Sequence, residues 1–250
     1  MKIGIAGFGF VGQAVYGSLT CEDTVIYDKY KDMNTFRDLV ECTHIFCCLP
    51  TNMLDDGKQD FDAYDDFFDT LIGYKYKGIL IVKSTCLYSN IKPYEEKLNI
   101  VFNPEFLNQN SAVNDFAEQE VIVLGGRMDH CKSVTDVYYS QFNLSDEIQF
   151  EYCSIKEATE LKYIHNIYHA YKVLFWNYAQ QLTGNSRKMS YLYSKITGNT
   201  NEMSRICADG RPGYGGACFV KDVNAMRCVA PHKLTDYMYK YNHELREDRP

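Results

Sequence analysis

Although the chain carries ten cysteines, no two of them stand in a Cys-x-x-Cys spacing. Cys47 and Cys48 are instead adjacent inside an apolar run. That spacing argues against a disulfide framework and predicts mostly reduced, buried thiols. No uninterrupted apolar stretch reaches membrane-spanning length. The sequence opens directly on a strand-like segment, without the charged and apolar regions of a signal peptide. The expectation is a soluble, cytoplasmic protein. Positive charge is also in short supply. Lys and Arg number 26 against 33 Asp and Glu, giving a net charge of −7 and a pI near 5.4, so neither a nucleic-acid surface nor a membrane partner is expected. Internal repeats, low-complexity tracts and Pro/Gly-rich linkers are missing too. One tryptophan stands against 21 tyrosines, a bias that yields no functional reading.

What is present is a core-sized share of apolar residues, 46% of 250. In the first part, short apolar runs alternate with helical spacing. Lys2 to Ala6, Thr24 to Asp28, His44 to Leu49, Gly78 to Lys83, Asn99 to Phe102, Glu120 to Leu124 and Ile148 to Tyr152 read as strands. Gln13 to Leu19, Thr35 to Val40 and the segment carrying Phe61, Tyr64, Phe67, Phe68, Leu71 and Ile72 read as helices. Thr51 to Asp60 reads as a polar, acidic loop. This βαβ alternation predicts a parallel, doubly wound sheet. Near Ser154 the pattern changes. Ile155 to Leu182 contains neither proline nor glycine and is apolar at helical spacing. Helical stretches follow at Ser186 to Ile196, Val220 to Val229 and Leu234 to Leu245. The fold class expected is α/β: a Rossmann-type domain over residues 1–153, then an all-helical domain over 154–250, packed together.

Two segments carry chemistry. Gly7-Phe8-Gly9-Phe10-Val11-Gly12 follows a strand and opens a helix, with Asp28 at the end of the next strand, 21 residues after Gly7. Gly7 permits the tight turn, Gly9 lets a pyrophosphate approach, and Gly12 allows close helix–strand packing. The phosphates belong at the helix N-terminus. Asp28 suits ribose hydroxyls and repels a 2′-phosphate, which favours NAD over NADP; Lys29 and Lys31 lean the other way. Near the other end, Gly213-Tyr214-Gly215-Gly216-Ala217-Cys218 places a thiol after a glycine-rich turn, with Lys221 and Asp222 expected in the first turn of a helix. A helix N-terminus and a nearby ammonium both favour thiolate.

At these residues the chain resembles the UDP-glucose/GDP-mannose dehydrogenases. The resemblance runs through the glycine loop and Asp28, Leu49-Pro50-Thr51, Lys83-Ser84-Thr85, Asn103-Pro104-Glu105-Phe106-Leu107, Glu157-Ala158 with Lys162 and Asn166, and Gly213 to Asp222. It implies oxidation of the C6 alcohol of UDP-glucose or a related UDP-sugar to a carboxylate, with two NAD+ per sugar. Cys218 would attack the intermediate aldehyde, and the thiohemiacetal would become a thioester that water cleaves. Glu105 would be general base in the covalent stage. Lys162 and Asn166, four apart on one helix face, would stabilise charge on the substrate oxygen. Thr85 and Asp222 would position a water. Phe8, Phe10, Val11, Pro50, Thr51 and Thr85 join the glycines and Asp28 at the cofactor. Phe106, Leu107, Tyr214, Gly215 and Lys221 join Glu105, Lys162 and Asn166 at the substrate. The helical part would carry a homodimer interface.

The match also has departures. Gln109 stands where the family usually has a second glutamate, so a proton-handling role there is lost. Position 220 is Val rather than proline. The sequence ends 28 residues after Asp222, and the expectation is a truncated member without the domain that grips UDP, weaker in nucleotide binding. Bland rivals stand beside each assignment. Cys218 can be one more buried thiol, Glu105 a loop acid, Lys162 and Asn166 a solvated face, and Thr85 a helix cap. His165 and His169, four apart, read as packing or surface residues and no metal is expected. Two further functions stay open. One is a dehydrogenase of a smaller hydroxy acid or sugar phosphate, which needs no cysteine. The other is a non-catalytic NAD-binding subunit that relies on a separate UDP-binding protein.

Overall fold

The computed structural model describes residues 1–21, 23–106, 116, 118–145, 147–198, 204–207 and 209–247, with Ala217 described by its backbone alone. The chain divides into two compact units, Met1–Asn52 with Asp60–Lys162, and Met53–Gln59 with Tyr163–Pro250.

The first unit holds seven strands among the described residues: β1 Ile3–Ala6, β2 Thr24–Tyr27, β3 His44–Cys47, β4 Ile79–Val82, β5 Asn99–Phe102, β6 Val121–Gly126 and β7 Gln149–Cys153. They form one sheet in the order β2-β1-β3-β4-β5-β6-β7. Registers are regular, with Ile3 opposite both Thr24 and His44, and Ile45 opposite Leu80. Alternate residues of each strand enter opposite cores. Ile45, Cys47, Leu80, Val82 and Phe102 face one side; Ile3, Ile5, Phe46, Ile81 and Val101 face the other. Both faces are buried, which explains why these strands read as continuous apolar runs rather than alternating ones. On the first side pack α2 (Phe36–Leu39) and α3 (Asp62–Gly73), with Leu39, Phe67, Phe68 and Leu71 buried. On the second lie α1 (Phe10–Ser18) and α5 (Met128–Gln141). A short α4 (Tyr88–Ile91) precedes a 3-10 turn, Lys92–Tyr94.

Two features differ from the sequence reading. β6 runs antiparallel to β5, so the sheet is not parallel throughout. A parallel neighbour needs a crossover, whereas a chain that returns beside its own strand end pairs antiparallel. β7 is parallel to β6, joined through α5. The α5 helix itself was not anticipated, because its β-branched and tyrosine content masks it. Its buried residues Cys131, Val134, Thr135 and Tyr138 nevertheless fall at i, i+3, i+4 and i+7, the spacing of a helix face.

The second unit is helical. α6 spans Ile155–Thr183 and begins in the first unit. Its start is a capping box: Glu157 N donates to Ser154 Oγ (3.2 Å) and Ser154 N donates to Glu157 Oε2 (2.8 Å). Then come α7 (Ser186–Thr197), α8 (Gly216–Val229) and α9 (Lys233–Glu247). Ala170, Leu174, Tyr214, Val223 and Met238 form the unit's core.

Candidate active site

The sheet order reverses direction at β1, which lies between β2 and β3. In open α/β sheets, ligands bind at such a switch point, beyond the carboxyl ends of the strands. The glycine loop leaves β1 there. Gly7 has φ +87°, and a Cβ on it would stand 2.8 Å from Cys48 O. A Cβ on Gly12 would stand 2.0 Å from Gly7 O, whereas one on Gly9 would meet nothing within 4 Å. Two glycines are thus required by packing, and Gly9 borders open space. Gly9 is the N-cap of α1; no side chain caps it and no acid lies in the first turn. The N–H groups of that turn, beside an open face, suit the pyrophosphate of a dinucleotide.

Asp28 closes this loop. Its Oδ2 accepts from Phe8 N (2.9 Å) and its Oδ1 from Tyr30 N (3.0 Å). Lys31 Nζ donates to Phe8 O (2.5 Å) and lies 4.0 Å from Asp28, while Lys29 pairs with Asp66 at 3.1 Å. Both lysines that argued for a 2′-phosphate therefore have local partners. At the end of β3, Pro50 is exposed and Thr51 buried, its Oγ1 donating to Thr85 O at 2.8 Å.

The ends of β4 and β5 bring together further residues of the first unit. Lys162 Nζ lies 3.0 Å from Glu105 Oε1, with both side chains at least nine-tenths buried. The same ammonium donates to Glu105 O at 2.5 Å and stands 5.4 Å from the centre of the Phe106 ring. Thr85 is buried at the end of β4. Beside it Lys83 is buried with a neutral escort: Nζ donates to Asn103 Oδ1 at 2.9 Å and to Tyr138 OH at 3.5 Å. Burial pushes the Lys83 ammonium down to about 8, with Cys48 and Glu105 pulling upward.

In the second unit, α8 begins at Gly216, so Cys218 itself lies in the first helical turn and Lys221 and Asp222 in the next. That moves the lysine and aspartate one turn later than the sequence suggested. The turn before it needs Gly213 at φ +79° and Gly216 at φ +74°. Cys218 is partly buried. Tyr214 packs into the helical core, its N–H and C=O bound by the Asn242 amide, while Gly215 lies against the Arg246 guanidinium. Asp222 has no exposure and gathers three donors: Lys221 Nζ (2.6 Å) and Gln59 Nε2 (3.2 Å) on Oδ1, and Asn166 Nδ2 (2.6 Å) on Oδ2. The His165 and His169 rings lie with centres 4.3 Å apart, tilted by 41°. Among the described residues no cluster of three or more potential metal ligands forms.

Sequence reasoning missed Gln59, Tyr163 and the part played by Lys83. Gln59 sat in a stretch read only as an acidic loop, and nothing but an isolated amide among acids marked it. Leu107 and Gln109 lie outside the described residues.

Comparison with known proteins matches residues 21–143 to the NAD binding domain of the UDP-glucose/GDP-mannose dehydrogenase family. Residues 156–244 match that family's central domain. A UDP-glucose 6-dehydrogenase of Rickettsia conorii is 29% identical over 243 residues, covering 89% of this chain and 53% of that protein. The chain thus spans about half the length of the curated relatives it matches. Among solved structures, a UDP-glucose dehydrogenase from Pyrobaculum islandicum superposes with a TM-score of 0.76 at 20% identity, covering 97% of this chain and 68% of the other. A 3-hydroxyisobutyrate dehydrogenase from Mycobacterium tuberculosis gives 0.73 at 16% identity, covering 99% and 94%. These structural likenesses speak for the fold. Among the described residues no helix is long and apolar enough to cross a membrane.

Proposed function

Because this chain belongs to the UDP-glucose/GDP-mannose dehydrogenase family, we propose that it is an NAD-dependent nucleotide-sugar 6-dehydrogenase. Its substrate is UDP-glucose or a related UDP-sugar, oxidised to the uronic acid. The observation that carries this reading is the state of two residues four apart on α6. Lys162 and Asn166 are each 3% exposed, and each meets an acid with an assigned part in the chemistry: Lys162 meets Glu105, and Asn166 meets Asp222. A solvated helix face would show neither burial nor partners.

The cofactor is held by the Gly7–Gly12 turn, the first turn of α1 and Asp28, with Thr51 and Thr85 alongside; when bound, NAD+ supplies the hydride acceptor for both oxidations. Glu105 takes up protons as general base, and its contact with Lys162 holds the carboxylate in place. Cys218 thiolate adds to the carbonyl carbon of the aldehyde. The charge that develops on the substrate oxygen is met by the Lys162 ammonium and the Asn166 amide. The second oxidation turns this adduct into a thioester, and a water oriented by Thr85 and Asp222 releases the acid. Phe106, Lys221 and the Tyr214-Gly215 backbone contribute to sugar binding.

Residues 1–153 form the NAD-binding domain in this reading, and residues 154–250 form a helical domain that dimerises. Support for the homodimer comes from one stripe of α6. Ile164, Tyr168, Tyr171, Phe175, Tyr178 and Leu182 are 43–70% exposed and alternate four and three residues apart, the period of a coiled-coil seam. A cytoplasmic location fits the thiols. Cys42, Cys47, Cys48 and Cys131 are buried without a bridge, and burial raises Cys42 and Cys131 to about 11.

The second reading is a dehydrogenase of a smaller hydroxy acid, favoured by the likeness to 3-hydroxyisobutyrate dehydrogenase over nearly the whole of both chains. A panel of UDP-sugars, sugar phosphates and short hydroxy acids, with products identified by mass spectrometry, separates the two. Uronic acid from a UDP-sugar is expected. Oxidation of a hydroxy acid alone would replace the first reading. Silence with every substrate, despite NAD binding, would point to a separate UDP-binding protein or to a non-catalytic role.

A further inference from the structure

Asp222 is held more tightly than its own helix requires. An ionised carboxylate offers about four lone-pair directions. Lys221 and Gln59 use those of Oδ1, and Asn166 uses one of Oδ2, which leaves one on Oδ2. Gln59 is the donor that comes from far away in sequence, and it is itself 6% exposed. Its Oε1 accepts from Tyr163 OH at 2.6 Å. The Asp222 carboxylate, which only accepts, fixes the amide orientation, and Tyr163 holds its oxygen end: a flipped Gln59 would turn its oxygen toward the carboxylate. Gln59 is delivered by a built turn. A bridge pairs Met53 with Gln59, Leu54 N donates to Lys58 O at 2.8 Å, and Gly57 sits at φ +83° facing Asn224 of α8. Cys228 Sγ of the same helix reaches Asp56 O at 3.8 Å.

We propose that Gln59 is a positioning residue: with its amide held between Tyr163 and Asp222, it fixes the Asp222 carboxylate, which has no exposure of its own, and through it Lys221 and Asn166, whose donors orient the water that hydrolyses the thioester. The inference rests on the dehydrogenase reading for the role of Asp222. In that step the water oxygen bonds to the acyl carbon and the C–S bond breaks, its electron pair leaving on Cys218 Sγ. One proton of the water returns to that sulfur, and the other is released to solvent beside the carboxylate product. Neither Gln59 nor Tyr163 exchanges a proton with substrate.

The test is the time course of NADH formation with saturating UDP-glucose and NAD+, joined to the intact mass of the enzyme. Gln59→Leu is expected to form two NADH per chain at close to the wild-type rate and then slow about 10- to 100-fold in steady state. The acylated protein should accumulate in the mass spectrum. Tyr163→Phe, the milder change, should show the same burst with a smaller slowing. Equal slowing of both phases, or no acylated protein, would overturn the proposal. If wild type forms no NADH, the dehydrogenase reading has failed, and the clamp is then read without activity. The Asn166 side-chain amide, assigned by its loss in Asn166→Ala, should exchange slowly in wild type and faster in both variants. Unchanged exchange would overturn the clamp itself.

Discussion

Lys83 is a cation buried to 3% exposure, and among the described residues no carboxylate comes within ion-pair distance of it. Its nitrogen is served by Asn103, Tyr138 and the face of Phe116, whose centre is 5.3 Å away. Burial lowers its proton affinity from 10.5 to about 8. That difference corresponds to roughly 3 kcal/mol of disfavoured charge. The unfolded chain binds the proton more tightly, so stability must rise with pH wherever only the unfolded state is protonated. The full penalty is present below pH 8, declines between about 8 and 10.5, and is gone above. Lys83→Met keeps the stem and removes the charge. It gives up two hydrogen bonds at about 1 kcal/mol each, while Asn103 Oδ1 keeps Tyr138 OH. The variant should therefore stand within about 2 kcal/mol of wild type at pH 7. Wild type should then gain on it by roughly 3 kcal/mol on going to pH 10.5, or about 6–12 °C in relative Tm for a chain of this size. Urea unfolding of both proteins at a series of pH values reads this difference directly, and the other titrating groups cancel. A wild-type-minus-variant difference that stays flat across the window would refute the reasoning.

Other perturbations separate fold from function. Gly9→Ala meets no atom within 4 Å, so stability should change by less than about 0.5 kcal/mol while calorimetry shows NAD binding weakened at least about tenfold. Gly12→Ala drives a Cβ to 2.0 Å from Gly7 O and should itself destabilise by about 1–3 kcal/mol, visible in the melting curve before any cofactor is added. Lys162→Met removes the ammonium beside the buried Glu105 carboxylate, which should cost about 3–5 kcal/mol in urea unfolding; Glu105→Gln beside it should recover part of that loss. Replacing Tyr171 and Phe175 together by Glu should turn a micromolar dimer into a monomer in sedimentation velocity, with NAD affinity unchanged.

Much of this architecture could be read from the residues because each signal was local. Strands buried on both faces appear as unbroken apolar runs, such as Ile79–Val82. The run from Ile155 to Leu182 without proline or glycine announced α6. The glycine loop declared its own geometry, and the close approaches at Gly7 and Gly12 supply the reason. The direction of β6 was not legible, since strand polarity depends on how the connection returns and not on the strand's own composition. α5 was hidden because its tyrosines and valines suit strands as well as helices. At the site, Lys162 and Asn166 stood four apart on one helix face and Asp222 four residues after Cys218, whereas Glu105 was picked out only through the family resemblance. Gln59 did not, because it acts through a contact 163 residues away in sequence, and no local pattern encodes such a partner. Lys83 was visible as part of a motif, but its burial without a counter-ion was not.

The central claim is a two-step oxidation through Cys218. The direct measurement is the number of NADH formed per molecule of UDP-sugar consumed, in wild type and in Cys218→Ser. The account predicts two NADH per sugar and uronic acid in wild type. In the serine variant it predicts no acid, with NAD affinity intact. One NADH per substrate, or acid production that survives Cys218→Ser, would contradict it.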